Sequence, residues 1–192
     1  MARAGLTPER VTDAAADLAD EVGFENITVS AVARRFGVKD ASLYAHVKNL
    51  QDLRERVQMR ASVQFTDRIA AAVAGRAGKD ALAAFADAWR HFVLEHPGRY
   101  TAARSPLPLE RLHESPGHQR GVDLTAALLH YYKLDEPDLT DAARLVLSTL
   151  HGFATLEAAG QFMRDRPMSA SWDRAVVALH RTLLDWSTER EE

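Results

Sequence analysis

The chain has no cysteine among its 192 residues. That excludes disulfides, thiolate metal sites and cysteine nucleophiles together, and it suits a reducing cytoplasm. No apolar run approaches the roughly 20 residues needed to cross a bilayer, and the opening residues MARAGLTPER contain no hydrophobic signal core. The expectation is a soluble, cytoplasmic protein without a membrane partner. A glycine-rich phosphate loop is also missing. His91, Glu95 and His96 form H-x-x-x-E-H, which is neither of the helical zinc patterns; His96 points about 100° from the face shared by the other two. No serine, histidine or carboxylate arrangement selects a catalytic reaction, so neither an enzyme nor a cofactor is expected.

The charge is small overall, −3, but it is unevenly placed. Residues 1–33 carry Arg3 and Arg10 against six acids, a net −4, whereas residues 34–60 carry seven basic residues against Asp40, Asp52 and Glu55, a net +4. Positive charge therefore concentrates on one short stretch, as expected of a nucleic-acid partner. That stretch also holds the most informative pattern, TVSAVARRFGVKDASLYAHVKNLQDL at Thr28–Leu53. Val29, Val32, Ala33 and Phe36 recur at i, i+3, i+4 and i+7, one face of a helix. Gly37 takes positive φ without a Cβ penalty, and Val38 is placed to fill the angle of the turn. A second helix is predicted from Asp40, anchored by Leu43 and Val47, leaving Ser42, Tyr44 and His46 to point outward. Two short helices at a steep angle with a polar outer face fit the DNA major groove.

Ahead of the motif, Thr7 is a candidate cap, Pro8 suits the first helical position, and Gly23 is expected to close the helix in a left-handed conformation. Val11, Ala14, Ala15, Leu18 and Val22 form its apolar stripe. The segments GFENITV and GVKDASLYAHVKNLQDL resemble the tetracycline-repressor-like (TetR) transcriptional regulators, whose pattern is G-V-x-x-x-(S/T)-L-Y-x-H-(F/V)-K. The likeness spans Thr7 to Leu53. It implies an all-α homodimer, with an N-terminal three-helix helix-turn-helix domain and a larger helical ligand-binding and dimerisation domain. It further implies a repressor bound to a palindromic double-stranded DNA operator and released by a small-molecule effector. The division would fall at 1–50 and 51–192, with a connecting helix over about 50–74 capped by Asn49. Carried over position by position, the resemblance assigns DNA contacts to Thr28, Ser30, Lys39, Asp40, Ala41, Ser42, Tyr44, His46 and Lys48, and leaves Arg3 and Arg10 for an N-terminal arm. The chain departs from the family where Lys39 replaces a hydroxyl cap, where Asp40 replaces a basic or polar residue, and where Leu50 replaces lysine. Asp40 has two readings, a cap or an acceptor for a cytosine amine.

Beyond the motif, helices are predicted through Leu82–Val93, Gly98–Arg104, Pro116–Lys133, Leu139–Met163 and Ser171–Ser187, with RSPLPLERLHESPG as a loop. In the last helix Trp172, Val176, Leu179, Leu183 and Trp186 are spaced 4, 3, 4, 3, a helix-pairing seam. Its predecessor is apolar nearly all round. With too few other helices in view to cover both, these residues together with Leu150 and Phe153 are assigned to a four-helix dimer interface; a monomer core is the alternative. Val177, His180 and Leu184 give the last helix a second face. Phe85, Trp89, Phe92, Tyr100, His130 and His151 are the candidates to line an effector cavity, though the same residues would equally serve a helical core. Two rival functions remain, a helical enzyme or carrier with the motif as scaffold, and a constitutive DNA-organising protein.

Overall fold

The computed structural model describes residues 5–186, and no strand occurs among them. Nine α-helices follow in order among those residues: α1 Pro8–Val22, α2 Val29–Phe36, α3 Leu50–Val73, α4 Gly78–Glu95, α5 Pro97–Arg104, α6 Leu109–His113, α7 Pro116–Leu129, α8 Asp138–Ala158 and α9 Met168–Asp185. Single 3-10 turns lie at Phe24–Asn26, Asp40–Ser42 and His130–Tyr132. The fold is all-α, as the periodicities predict. Arg3 and Ser187 lie outside the described residues.

The chain groups into two compact units. One runs to Phe65 and includes His96–Gln119; the other comprises Thr66–Glu95 and the chain from Arg120 onward. This grouping follows packing and differs from the division expected at residue 50. Helix α3 contributes to both units.

In the first unit, Thr7 Oγ1 accepts from Arg10 N at 3.2 Å and Pro8 opens α1. Gly23 ends it at φ 89, ψ 144, a positive φ but outside the left-handed helical region that was expected. The buried face of α1 is Val11, Ala15, Ala16, Leu18 and Ala19, while Val22, placed in the stripe by its spacing, is 45% exposed. The stripe turns toward Ala19 because α5 lies against it: a Cβ on Gly98 would overlap the Ala19 carbonyl. Charge holds the same contact. Asp20 accepts from the Arg99 backbone N–H at 2.8 Å, from the Arg99 guanidinium, and pairs with His96 Nδ1 at 3.0 Å; Arg99 also reaches Asp17. Helix α1 therefore covers α5 as well as the motif. Deeper in this unit, Ser115 Oγ stands 2.8 Å from His118 Nδ1 and 3.3 Å from Ser62 Oγ. Burial, and then the neighbouring Arg104, push the His118 pKa below its ordinary value.

The second unit is built on aromatic side chains. Leu82, Phe85, Trp89, Phe92 and Val93 of α4 are buried, as are Ala142, Val146, Leu150 and Ala154 of α8 and Trp172, Val176, Leu179 and Leu183 of α9. Helix α4 packs on both α8 and α9. Arg90 pairs with Glu157 at 2.5–2.6 Å, lies 5.6 Å above the Trp172 ring, and is joined there by Asp87, which accepts from Trp172 Nε1 at 2.7 Å. Tyr132 OH meets His180 Nδ1 at 2.9 Å, and burial pushes its pKa up to about 12. Helix α8 stops at Ala158, five residues short of the predicted end. There the N–H groups of Ala159, Gly160 and Gln161 turn back onto the carbonyls of Thr155, Glu157 and Leu156.

Candidate nucleic-acid interface

The motif begins with a cap. Thr28 Oγ1 accepts from Ala31 N at 3.1 Å, satisfying an N–H that the first turn of α2 would otherwise leave open. At the other end Gly37 sits at φ 65, ψ 32, the left-handed conformation the turn was expected to need, and Val38 N returns to Ala33 O at 3.1 Å. The next segment is tighter than the regular helix predicted from Asp40. It is one 3-10 turn, Asp40–Ser42, continued by turns to His46: Ser42 N bonds Lys39 O at 2.9 Å, Leu43 N bonds Asp40 O at 2.9 Å, and His46 N bonds Leu43 O at 2.8 Å. Leu43 and Val47 are fully buried anchors. A reciprocal cap then starts α3, with Asp52 N donating to Asn49 Oδ1 at 2.8 Å and Lys48 N donating to Asp52 Oδ2 at 3.0 Å. Burial pushes the Asp52 carboxyl up, but the bonds from Lys48 N–H and Arg56 outweigh it and hold the pKa below the ordinary value.

Around these anchors, seven of the nine assigned DNA-contact residues lie on one short segment. Lys39, Asp40, Ala41, Ser42 and Lys48 are exposed, Tyr44 is 54% exposed, and His46 is half-buried. Thr28 and Ser30 are exposed at the start of α2, but both hydroxyls are engaged: Thr28 as the cap, and Ser30 Oγ as a donor to the Asp40 carboxylate. Asp40 is thus bound from α2, a cross-motif link that neither reading of this acid anticipated. A serine in the first turn of α2, ten residues before an acid in the next turn, was the available signal.

The basic stretch is largely committed within the chain. Arg35 pairs with Glu21, Arg56 with Asp52 at 3.0 Å and Arg60 with Asp13 at 2.8 Å, while Arg54 donates to the Glu25 carbonyl at 2.7 Å. Arg10 donates to Gly5 O at 2.8 Å and lies over Phe36. Among the described residues of 34–60, Arg34, Lys39 and Lys48 form no ion pair.

The proposed effector residues do not converge. Phe85, Trp89 and Phe92 fill the core of the second unit; Tyr100 is buried in the first, edge-on to Phe65 at 5.6 Å; His130 and His151 are exposed. A groove of about 410 Å³ lies along α3 and α4 in the second unit, lined by Arg68, Arg76, Asp80, Asp87 and His91 with alanines between them. None of the six reaches it. Spacing identified buried faces without saying whether a cavity or a neighbour fills them. His91, Glu95 and His96 are each held elsewhere, by the Asp87 carbonyl, Arg68 and Asp20.

The seam assigned to a dimer lies inside the protomer. Leu150, Trp172, Val176, Leu179 and Leu183 are buried in the single chain, half-buried Phe153 meets Trp172 edge-on and Phe162 at a tilt, and Trp186 is half-buried. Helix α4 supplies the cover thought to be missing.

A capped helix, a glycine turn and an exposed polar segment on two buried anchors define a helix-turn-helix of the DNA-reading kind. The comparisons agree. A family model described as "Bacterial regulatory proteins, tetR family" matches residues 11–57, and one described as "Tetracyclin repressor-like, C-terminal domain" matches residues 82–179. An HTH-type transcriptional regulator of Mycobacterium tuberculosis is 35% identical over 82% of this chain and 72% of its own length. YobS, an HTH-type transcriptional regulator of Bacillus subtilis, is 32% identical over 88% of each. Among solved structures, a TetR variant from Acinetobacter baumannii in complex with minocycline shares the fold at a TM-score of 0.68, with 19% identity over 92% of this chain and 96% of that one. The chain belongs to the TetR family of helix-turn-helix, DNA-binding transcriptional regulators. No described helix is long and apolar enough to cross a membrane.

Proposed function

We propose that this regulator is a cytoplasmic repressor that binds a palindromic operator as a homodimer and is released by a small molecule. The exposed segment Lys39–Lys48, held on Leu43 and Val47, carries the reading. Lys39, Asp40, Ala41 and Ser42 face base edges, Tyr44 offers its hydroxyl to phosphate, and His46 and Lys48 donate to further phosphates. Thr28 acts through its cap, which fixes the first turn of α2 where backbone N–H groups can meet phosphate. In this division residues 1–50 read DNA and 51–192 pair the protomers and sense the effector.

Dimer contact falls to the outward faces of α8 and α9, because the inward faces are already occupied. Leu156 (40% exposed), Leu184 (48% exposed) and half-buried Val177 lie there, and Gly152 faces open space. The effector reading draws support from the minocycline complex of the structurally similar TetR. An effector that releases DNA must bind free protein more tightly than operator-bound protein. Selecting sites from random duplex DNA, with dimer stoichiometry measured on the winner, tests the whole reading. One enriched palindrome, bound more weakly by Tyr44→Phe, His46→Ala and Lys48→Ala at unchanged thermal stability, is expected. The absence of any enriched sequence at low or physiological salt would reduce the motif to scaffold.

A further inference from the structure

We propose that Asp40 is a base-reading acceptor, positioned by Ser30, that makes the regulator select cytosine at one symmetric pair of operator positions. This inference rests on the operator-binding function proposed above. Asp40 is an exposed acid in the segment that must approach a polyanion. Several acids of the same unit are paired with arginine, Asp13 with Arg60, Glu21 with Arg35 and Asp52 with Arg56. Asp40 is held instead by the neutral hydroxyl of Ser30, which donates to Oδ2. The bond fixes the carboxylate from the adjoining helix without cancelling its charge, and Oδ1 keeps its capacity to accept.

An ionised carboxylate only accepts hydrogen bonds. In the major groove the donors are the N4 amine of cytosine and the N6 amine of adenine; guanine O6 and N7 and thymine O4 are acceptors and repel it. Adenine also sets its N7 acceptor beside N6, so cytosine ranks first, adenine second, and guanine and thymine last. The carboxylate repels phosphate at every site, and only an amine donor at the facing base offsets that cost, which adds discrimination against non-cognate DNA.

Site selection with the full-length protein and with Asp40→Asn, Asp40→Ala, Ser30→Ala and Ser30→Thr tests this directly. Circular dichroism and thermal melting establish that each variant is folded. The wild type should prefer cytosine at the paired positions by roughly 5- to 150-fold over guanine or thymine. Asp40→Asn, which can accept and donate, should move that preference to adenine. Asp40→Ala should erase it while strengthening binding to random DNA. Ser30→Ala should weaken the preference, and Ser30→Thr, which keeps the hydroxyl, should retain it. A palindrome whose every position is unchanged in Asp40→Asn and Asp40→Ala would overturn the inference and leave the Ser30–Asp40 bond as a structural link between the two elements. Failure of the wild type to select any palindrome would instead overturn the proposed function, and this inference with it.

Discussion

The two compact units are held together by different means. The unit carrying the motif has a core of small and branched side chains, chiefly Val11, Ala15, Ala19, Ile27, Val32, Leu43 and Val57, and its elements are tied at the surface by arginine–carboxylate pairs. The other unit buries Phe85, Trp89, Phe92 and Trp172, and seats the arginine of an ion pair, Arg90–Glu157, over an indole. Small residues allow close helix approach but give each contact little area. Large rings give area and demand partners for their polar atoms. The first unit therefore depends on fit, and the second on volume.

That contrast breaks most sharply at Trp172. Trp172→Ala removes a buried ring together with the partner of Asp87 and Arg90, and should cost about 4 kcal/mol, read as a lower urea midpoint at fixed protein concentration. Hydrogen exchange should quicken in α8 and α9. Gly98→Ala should cost about 3 kcal/mol by overpacking, and exchange should quicken in α1 and α5 instead. Exchange that quickened evenly through the chain in both variants would erase the distinction between the units. Arg60→Ala, by contrast, removes an exposed pair with Asp13 and should change stability by less than about 1 kcal/mol.

Titration should separate the units as well. His118 has a lowered pKa, so the unfolded chain binds its proton first. Its penalty is absent above about pH 6.5, and stability falls as pH drops from there toward the folded pKa. His118→Gln should flatten that slope in an acid titration of the urea midpoint. Tyr132 shifts the other way: its folded form keeps the proton up to about pH 12. Stability from this group is full below about pH 10 and is lost as pH rises toward 12, so Tyr132→Phe should flatten the alkaline limb. Limbs unchanged by these substitutions would assign the titration to other groups.

The motif was legible because everything it needs is local. A threonine cap, an apolar face at helical spacing, a glycine turn and two anchors lie within twenty residues, and the structure places Thr28, Gly37, Leu43 and Val47 accordingly. The docking of α5 on α1 was not, since Gly98 and Arg99 meet Ala19 and Asp20 from about eighty residues away and no periodicity links them. The 4, 3, 4, 3 seam shows a third case. Its spacing truly marks a buried face, but a face buried by α4 and one buried by a second protomer have the same period. Even the assigned DNA contacts were seen as separate side chains, whereas Ser30 and Asp40 are joined to each other.

The commitment of Arg35, Arg54, Arg56 and Arg60 to internal partners has a thermodynamic consequence for the chain among bulk chromosomal DNA. Each phosphate met by a cation releases condensed counterions, and their entropy drives indiscriminate binding. With Arg34, Lys39 and Lys48 left to take that role in each motif, the logarithm of affinity should fall against the logarithm of salt with a slope of roughly −3 per motif. Recruiting the other arginines would first require giving up their internal partners. So shallow a slope would mean little sequestration by the mass of wrong sites, with affinity for any one site drawn from the shape and chemistry of that site.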